Sequence, residues 1–410
     1  IAHLTAVAEE VPCPRVWTTT SGELIARVAG VNGATHFVRL LTFVPGKPLA
    51  LVKPHAPELL RNLGAYLGGM DKALSTFDHP ATHRALHWDL KHASSVIRQH
   101  KDRISDPARR LLVEQLLAHF EQTVAPCLKD LRTGVIHNDG NDYNVLVGDD
   151  PARGLLGRSK VIAGVIDFGD MVHTYTVNEV AIAAAYVMLD KADPVTAAAQ
   201  VVSGYHAVYP LTEAELAVLF PLICMRLCMS VCLSAHQQAQ EPDNHYLSIS
   251  ERPAWALLAK LAELKPELAH YAFRYAAGLP PCPTAPGVVQ WLRANAQHLG
   301  RVVDVNLKSA PTLVFDWSVG SLELGELPDR SDTPAFTASL FQRMQRAGAA
   351  IGIGRYNEAR QVYTGAQFQA PSEELPEQRT IHLGIDLFQP AGSPIFAPLD
   401  GVVHSFANNT

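Results

Sequence analysis

Neither charge nor cysteine is abundant in this sequence, and each shortage excludes a class of protein. The 410 residues include 34 Lys and Arg against 40 Asp and Glu, so the net charge is −6 and no basic excess is available for nucleic-acid binding. The six cysteines are too few and too scattered for a disulfide framework, which favours a reducing compartment. We therefore predict a cytoplasmic protein with no nucleic-acid partner.

Long apolar runs are also scarce. The two longest stretches are Val180 to Leu189, which is short, and Leu211 to Leu233, which contains charged residues and Pro221. A membrane-spanning helix needs roughly 20 apolar residues, so we predict no membrane segment. No secretion signal is visible in the sequence either.

The sequence does contain enough apolar material for a folded core. Hydrophobic residues make up 48% of the chain and charged residues 18%, which argues against disorder. A chain of 410 residues is long enough for two or three domains. The proline cluster from Pro280 to Pro286 indicates the first boundary, and we place it after residue 285.

Two polar segments that each follow a short apolar run are the most informative part of the chain. The first is Gly134 to Val147, reading GVIHNDGNDYNVLV, and the second is Val165 to Asp170, reading VIDFGD. Magnesium takes oxygen ligands, usually one or two carboxylates together with phosphate oxygens. A phosphoryl acceptor needs a further carboxylate to orient and deprotonate its hydroxyl group. Together the two segments predict a metal–nucleotide site.

The spacing within these segments resembles that of a known fold. His137, Asp139 and Asn144 form H-x-D-x-x-x-x-N, and Asp167 opens D-F-G. This pair of motifs resembles the protein-kinase-like fold, in the branch that holds aminoglycoside phosphotransferases, choline kinases and hydroxylysine kinases. The resemblance implies that Asp139 is the catalytic base, that His137 braces the loop, and that Asn144 and Asp167 hold Mg²⁺ with ATP or GTP.

The alternative interpretation is a polar hairpin loop followed by an unrelated D-F-G tripeptide. D-F-G alone is a weak signal, but two ordered motifs with apolar flanks are a strong one. The resemblance implies an α+β fold with a β-rich N-lobe and a mostly helical C-lobe.

Residues 1–49 are predicted to be the remnant of the N-lobe. Two β runs, Glu23 to Val28 and His36 to Phe43, are followed by TFVPGKPL, which resembles the hinge between the lobes. The resemblance implies that the backbone at the hinge meets the nucleotide base, through Thr42, Phe43 and Val44. The alternative is an ordinary β-hairpin that ends in a Pro-Gly turn.

The family pattern also includes a glycine-rich loop, a strand lysine and a helix glutamate, all of which should precede the hinge. No lysine lies before Lys47. Because the chain also begins at Ile1 and ends at Thr410 within a β pattern, we expect it to be a fragment of a longer protein. A chain that truly began at Ile1 would be a poor kinase.

Residues 50–285 are predicted to form the C-lobe, largely as helices. Apolar spacing indicates helices that include Pro57 to Phe77, Pro107 to Ala125, Pro194 to Val208, Thr212 to Ala239 and Pro253 to Gly278. Cysteines 224, 228 and 232 recur every fourth residue, but in a helix the outer two lie about 12 Å apart, so we interpret them as core residues rather than zinc ligands.

Three further acids could contact an amine on the acceptor or could simply cap helices and face water. They are Asp142, Asp170 and Glu179. We favour a structural role for Glu179 and leave the other two open.

Residues 286–376 are predicted to be a connecting region, and residues 377–410 the start of a β-rich domain. His382 and Asp386, spaced H-x-x-x-D, could offer an imidazole and a carboxylate to zinc. The segment from Thr380 to Asn409 resembles the entry to lysostaphin-type zinc endopeptidases, in which this His and Asp are two of three metal ligands. The third ligand would lie beyond Thr410, so we expect an incomplete zinc site.

The leading hypothesis is a Mg²⁺- and nucleotide-dependent kinase for a small amino-containing acceptor, such as an amino alcohol, a hydroxylated amino acid or an aminoglycoside-like molecule. The order of segments resembles multidomain proteins that continue into a class III aminotransferase, so further domains of the same chain are expected as partners. The alternatives are a zinc-dependent cell-wall hydrolase with a kinase-like appendage, and an inactive scaffold.

Overall fold

The computed structural model divides the chain into two compact units, Ile1–Cys282 and Pro283–Thr410. It describes residues 1–8, 11–150, 160–240, 251–323, 333–360, 363, 368–370, 377–403 and 405. The division falls inside the proline cluster in which a boundary is predicted. Each unit is built around its own apolar core.

The first unit begins with a small region of helix and short strands. These elements are α1 (Ala2–Val7), β1 (Val16–Trp17), β2 (Ala26–Ala29), β3 (Thr35–Val38), β4 (Leu40–Leu41) and β5 (Lys47–Pro48). The predicted run from His36 to Phe43 is two strands rather than one, because β3 pairs with β2 while β4 pairs with β1. The hinge segment follows β4 directly.

Helices and two antiparallel strand pairs form the rest of this unit. The helices are α2 (Pro57–Leu74), α3 (Ala93–His100), α4 (Pro107–Thr123), α5 (Val177–Val187), α6 (Pro194–Val208), α7 (Glu213–Gln240), α8 (Glu251–Ala262) and α9 (Pro266–Ala276). The strands are β6 (Thr133–Ile136), β7 (Val145–Asp149), β8 (Lys160–Val165) and β9 (Val172–Tyr175). This mixture of helices and small sheets agrees with the predicted α+β class.

One helix prediction is wrong. The segment from Pro253 to Gly278 forms two helices, because Pro266 starts α9 and a proline is tolerated in the first turn of a helix but not in its interior. Thr212 and Glu215 form a capping box at the start of α7. The Glu215 N–H donates to Thr212 Oγ1 at 3.2 Å, and the Thr212 N–H donates to Glu215 Oε2 at 2.8 Å.

Helix α7 runs through the core of the first unit. By length and apolarity alone it could cross a bilayer, contrary to the sequence prediction, but 89% of its most apolar window is buried inside the protein. The three cysteines at positions 224, 228 and 232 are among its buried residues. The protein interior therefore supplies the apolar surroundings that the composition of this helix requires.

The second unit contains a small three-stranded sheet and one covering helix. Its elements are α10 (Ala285–Asn295), β10 (Thr312–Phe315), α11 (Thr333–Arg346), β11 (Ile351–Gly354), β12 (Glu358–Ala359), β13 (Gln369–Ala370), β14 (Glu377–Gln378), β15 (Ile381–His382) and β16 (Asp386–Phe388). Strand β11 pairs parallel to β10 and antiparallel to β16. The predicted connecting region and the predicted start of the β domain thus share one sheet.

Helices α2 and α6 cross in backbone contact. A Cβ atom on Gly64 would collide with the carbonyl oxygen of Val201, and one on Gly204 would collide with that of Arg61. Small residues at a crossing let two helices approach closely, and here the two glycines face each other's backbones. This contact holds α2 against α6.

We predict that Gly204→Ala lowers the free energy of unfolding by about 1–3 kcal/mol or more, because the added methyl group has no space and the helices must separate. The measurement is urea unfolding of the full chain. Gly69→Ala, on α2, is the matched control, since its Cβ would lie 3.6 Å from Val11 in ordinary contact. We expect the control to be neutral or stabilising by about 0.5–1 kcal/mol. Equal destabilisation by both variants would contradict the prediction.

Candidate active site

Two antiparallel strand pairs bring the two predicted motifs together. Strand β6 pairs with β9, while β7 and β8, which lie between them in sequence, form a hairpin. The loop of residues 137–144 leaves β6 and enters β7, while the loop of residues 166–171 leaves β8 and enters β9. Because Ile136 pairs with Val172 and Val145 with Val165, both loops lie where the two strand pairs meet. The loops are joined directly, since the Ile166 N–H donates to the Asn144 carbonyl at 3.0 Å.

The carboxylate of Asp139 accepts hydrogen bonds from three side chains. Asn141 Nδ2 donates to Oδ1 at 3.0 Å, Arg226 Nη2 donates to Oδ1 at 3.2 Å, and Asn144 Nδ2 donates to Oδ2 at 2.7 Å. Burial raises the pKa of Asp139, and the neighbouring Arg226 charge works against this rise. The predicted base is thus a half-buried carboxylate with its direction fixed.

The loop around Asp139 owes its shape to two asparagines. Asn141 Oδ1 accepts the N–H groups of Tyr143 and Asn144 at 2.9 and 3.0 Å, which closes a turn inside the loop. Asn138 has a left-handed φ of 66°, a conformation that asparagine tolerates better than most residues. Neither residue was singled out from the sequence, although an Asn three positions before the predicted metal-binding Asn is a recognisable turn signal.

His137 links the two loops, in the position predicted for a brace. Its Nε2 contacts the Ile166 carbonyl at 3.1 Å, so Nε2 carries the proton, and the Asp139 N–H donates to Nδ1 at 3.3 Å. The ring is completely buried, and burial lowers the pKa of His137 to about 4. A neutral imidazole at physiological pH can serve both hydrogen bonds at once.

The two predicted Mg²⁺ ligands lie at the open end of the β7–β8 hairpin, where Asn144 precedes β7 and Asp167 follows β8. Asn144 commits its Nδ2 to Asp139, and within the described residues its Oδ1 has no hydrogen-bond partner. Asp167 is exposed, has a left-handed φ of 62°, and accepts the Gly169 N–H at Oδ1. No cluster of three or more His, Cys, Asp or Glu suited to a metal occurs in the described residues. One amide and one carboxylate oxygen nevertheless fit Mg²⁺, which usually completes its shell with water and phosphate.

The predicted hinge lines a cavity that also reaches the loop of Asp167. The cavity has a volume of about 250 Å³, and its walls include Thr42, Phe43, Val44, Ile166 and Asp167. The Thr42 N–H is bonded to the Arg15 carbonyl at 2.8 Å, so that group is already used within the protein. Phe43 is 87% exposed and Val44 is buried. The structure therefore places the predicted nucleotide-contacting residues and Asp167 around one space.

Arg226 was not predicted from the sequence. It lies in α7 within an apolar run, is 2% exposed, and its guanidinium lies over the rings of Trp88 at 4.9 Å and Tyr186 at 5.6 Å. Nη1 also donates to the Trp88 carbonyl at 3.1 Å. A lone arginine in an apolar helix was the available signal, but its partner Asp139 lies 87 residues away.

Glu179 supports the catalytic loop from below. Its Oε2 accepts the Asn138 N–H at 2.9 Å, and a Cβ on Gly140 would lie 2.8 Å from its Oε1. Burial raises the pKa of Glu179 to about 7, and the nearby Asp71 is likewise buried with its pKa raised. Asp71 accepts a hydrogen bond from the Tyr205 hydroxyl at 2.6 Å. The structural role favoured for Glu179 agrees with these contacts.

The other two acids occupy different surroundings. Asp170 lies between Gly169 and Met171, whose carbonyls both accept hydrogen bonds from Arg84. Within the described residues no hydrogen bond to its carboxylate is formed. Burial raises the pKa of Asp142 to about 6, and its carbonyl accepts the Ala50 N–H at 2.9 Å. Neither carboxylate accepts a hydrogen bond from another side chain of the described residues, and the two acids differ in that burial raises the pKa of Asp142.

The two predicted zinc ligands lie together, and one carboxylate oxygen of Asp386 is bonded to an arginine. His382 Nε2 is 3.3 Å from Asp386 Oδ1, as the spacing implies. The other carboxylate oxygen accepts a hydrogen bond at 2.8 Å from Arg360, a buried cation that competes with a metal for the same ligand. The described residues supply no third ligand. His404 lies outside the described residues.

Comparisons with known proteins identify the family to which the first unit is similar. Residues 1–216 match the phosphotransferase enzyme family. Hydroxylysine kinase from Bos taurus is 32% identical over 256 residues, which covers 60% of this chain and 67% of that protein. The Mus musculus hydroxylysine kinase is 32% identical over 247 residues, covering 59% of this chain and 65% of that protein. The chain therefore spans about two thirds of the length of these kinases.

Among solved structures, the aminoglycoside phosphotransferase from Alicyclobacillus acidocaldarius is 18% identical, with a TM-score of 0.45. The alignment covers 68% of this chain and 82% of that structure.

We predict that the wild-type protein loses stability as pH rises from about 4.5 to 7, and that Glu179→Gln loses less stability over the same range. A carboxyl whose pKa is near 4.5 unfolded and about 7 folded binds more protons in the folded state across that window, so its contribution to stability falls as pH rises. Glutamine keeps an oxygen for the Asn138 N–H but cannot ionise. The change in unfolding free energy between pH 5 and pH 8 should differ from wild type by on the order of 1–3 kcal/mol.

The measurement is urea unfolding at several pH values, and Glu267→Gln on α9 provides a surface control. Parallel pH curves for wild type and Glu179→Gln would contradict the prediction.

Proposed function

The chain belongs to the phosphotransferase enzyme family, and from this premise we propose that it transfers the γ-phosphate of ATP or GTP to a hydroxyl group of a small amino-containing acceptor. The observation that carries the proposal is the position of the Asp139 carboxylate. Asn141, Asn144 and Arg226 donate hydrogen bonds to it, and its loop is bonded to the loop of Asp167. Relatives named hydroxylysine kinase support an acceptor with both a hydroxyl and an amine, such as a hydroxylated amino acid or an amino alcohol.

In this proposal Asp139 accepts the hydrogen bond of the acceptor hydroxyl and takes its proton as the oxygen bonds to phosphorus. The carboxylate direction is set before the acceptor binds, because Asn141 and Asn144 hold one oxygen each. His137 keeps the loop of Asp139 in register with the loop of Asp167 through the Ile166 carbonyl. Each residue acts through a contact that exists without substrate.

Asn144 Oδ1 and the Asp167 carboxylate would hold Mg²⁺. When bound, the ion neutralises charge on the phosphate oxygens. The cavity beside Thr42, Phe43 and Val44 would receive the nucleotide base. A reaction that consumes a nucleoside triphosphate suits the cytoplasm, which is where we place it. The alternative of a zinc hydrolase has less support, because the described residues bring only His382 and Asp386 together and Arg360 binds one oxygen of that carboxylate.

Asp170 is our candidate for recognising the acceptor amine. Arg84 binds the carbonyls on both sides of it, which fixes its backbone within the D-F-G-D segment. The Asp170 charge acts on both His137 and Arg226, so it lies in the neighbourhood of Asp139. A half-buried carboxylate that no side chain of the described residues engages can attract an ammonium group.

We predict that Asp139→Ala lowers kcat for nucleotide-dependent phosphorylation at least about 10²-fold, the lower end of what a positioned general base contributes. The assay is nucleotide turnover by the full-length protein with a panel of amino alcohols and hydroxylated amino acids. Nucleotide affinity should stay within about twofold, because Asp139 faces the acceptor. Asp130→Ala, at an acid before β6, is the control. Unchanged turnover in Asp139→Ala would reject the assigned base.

We predict that Asp170→Asn raises KM for an amine-bearing acceptor about tenfold, the equivalent of roughly 1.4 kcal/mol of lost ion pairing, and changes kcat little. The matched comparison is a deaminated acceptor that carries only the hydroxyl group, for which KM should not change. A proportional rise in both KM values would show that Asp170 shapes the site without recognising the amine.

A further inference from the structure

The segment of residues 75–92, between α2 and α3, carries an inference that rests on the proposed function and deepens it. Arg84, in this segment, is exposed and donates through Nη2 to the carbonyls of Gly169 and Met171, the two residues that flank Asp170. A guanidinium has five N–H donors. Within the described residues its Nε and Nη1 form no hydrogen bond, so a cation with unused donors lies against the backbone of Asp170.

We propose that Arg84 is a specificity-determining residue, which binds a carboxylate on the acceptor and so selects hydroxylated amino acids over amino alcohols. In this arrangement Asp139 receives the acceptor hydroxyl, Asp170 attracts the amine, and Arg84 binds the carboxylate. A hydroxylated amino acid offers all three groups, whereas an amino alcohol lacks the third. Arginine suits this partner because its planar guanidinium matches the two oxygens of a carboxylate.

Two contacts bind the α2–α3 segment to strand β9 on either side of Arg84. The His83 ring stacks on His173, with the ring centroids 4.5 Å apart. Farther along the segment Asp89 is buried, and its Oδ1 accepts a hydrogen bond from the Thr174 hydroxyl at 2.7 Å. Strand β9 follows the D-F-G-D segment directly. The position of Arg84 is therefore set by contacts that exist without an acceptor.

The same segment also reaches the partner of the catalytic base. Trp88, four residues after Arg84, has its ring centroid 4.9 Å from the guanidinium carbon of Arg226, and its carbonyl accepts from Arg226 Nη1 at 3.1 Å. Arg226 in turn donates to Asp139, and the Asp170 charge acts on Arg226 as well. The α2–α3 segment thus runs from the backbone of Asp170 to the partner of Asp139, the two acids assigned to the acceptor.

A phosphate group of the nucleotide is the other anion that an arginine beside this site could bind. The cavity assigned to the nucleotide is lined by the predicted hinge and by the loop of Asp167, and the arginine among its walls is Arg39. No residue of the α2–α3 segment belongs to those walls. The geometry therefore favours the acceptor carboxylate, and phosphate binding is the alternative that the experiment must exclude.

The first test compares KM values for two acceptor pairs in wild type and Arg84→Gln. Each pair is a hydroxylated amino acid and the amino alcohol that remains when its carboxylate is removed: hydroxylysine with its diamino alcohol, and threonine with aminopropanol. We expect Arg84→Gln to raise KM for the amino acid about 10- to 100-fold, the usual value of hydrogen bonds to a charged group. KM for the amino alcohol, KM for the nucleotide and kcat should all stay within about twofold, because Arg84 touches neither the nucleotide nor the reacting atoms.

Two further variants control for charge and for place. Arg84→Lys keeps the charge but loses the planar fork, so it should retain part of the preference for the amino acid. Arg98→Gln, at an exposed arginine of α3 whose partner is Glu121, removes the same charge elsewhere and should change no KM value.

A second measurement does not depend on turnover. The members of each acceptor pair are titrated by calorimetry into the full chain in the presence of a non-hydrolysable nucleotide analogue. Wild type should bind the amino acid about 10- to 100-fold more tightly than the amino alcohol, and Arg84→Gln should bind the two alike.

The results separate the role of Arg84 from the proposed function. Absence of phosphorylation of every acceptor with either nucleotide would reject the proposed function, while the binding measurement still reports on Arg84. Equal affinity of wild type for both members of each pair would overturn the role of Arg84 and leave the proposed function in place. A rise in KM for the nucleotide, or an equal rise for both members of a pair, would overturn it as well, since Arg84 would then bind phosphate or only shape the D-F-G-D segment. Failure to bind any acceptor would reject both.

Discussion

The candidate active site depends on keeping one half-buried carboxylate charged. Burial raises the pKa of Asp139, and a protonated Asp139 could neither orient nor deprotonate a hydroxyl group. Three donors oppose that rise, from Asn141, Asn144 and Arg226. Two of them come from the catalytic loop itself, whereas the third comes from the core helix α7. The packing of α7 therefore bears on the chemistry as directly as the loop does.

The loop can hold its shape because its backbone is bonded from three sides. His137 joins it to the Ile166 carbonyl, Glu179 receives the Asn138 N–H, and Asn141 closes the turn within it. Gly140 is required where the loop passes Glu179, since a Cβ there would lie 2.8 Å from Oε1. A left-handed Asn138 and a left-handed Asp167 are thus held by their surroundings, as is common where strain serves a site.

Sequence spacing was sufficient for the parts of the site that are local along the chain. His137, Asp139 and Asn144 fall within eight residues, and Asp167 follows at the end of the same hairpin, so their meeting depends on short-range turn and strand chemistry. Arg226 could not be found in this way, because only the packing of α7 against the loop brings it to Asp139. The surroundings of the predicted zinc ligands were hidden from the sequence for the same kind of reason. The His382–Asp386 spacing was readable, but the Arg360 that occupies the carboxylate belongs to another segment.

The buried Glu179 beneath the loop affects how much of the Arg226 charge Asp139 receives. An ionised Glu179 would attract this cation and repel the Asp139 carboxylate. Burial raises the pKa of Glu179 and of its neighbour Asp71, and the Tyr205 hydroxyl donates to one oxygen of Asp71. At pH values below its pKa, Glu179 is protonated and binds the loop backbone while competing little for Arg226. Above the pKa of Glu179, near 7, that separation weakens, so the same buried acid that shapes the loop also limits the pH range over which Asp139 has Arg226 to itself.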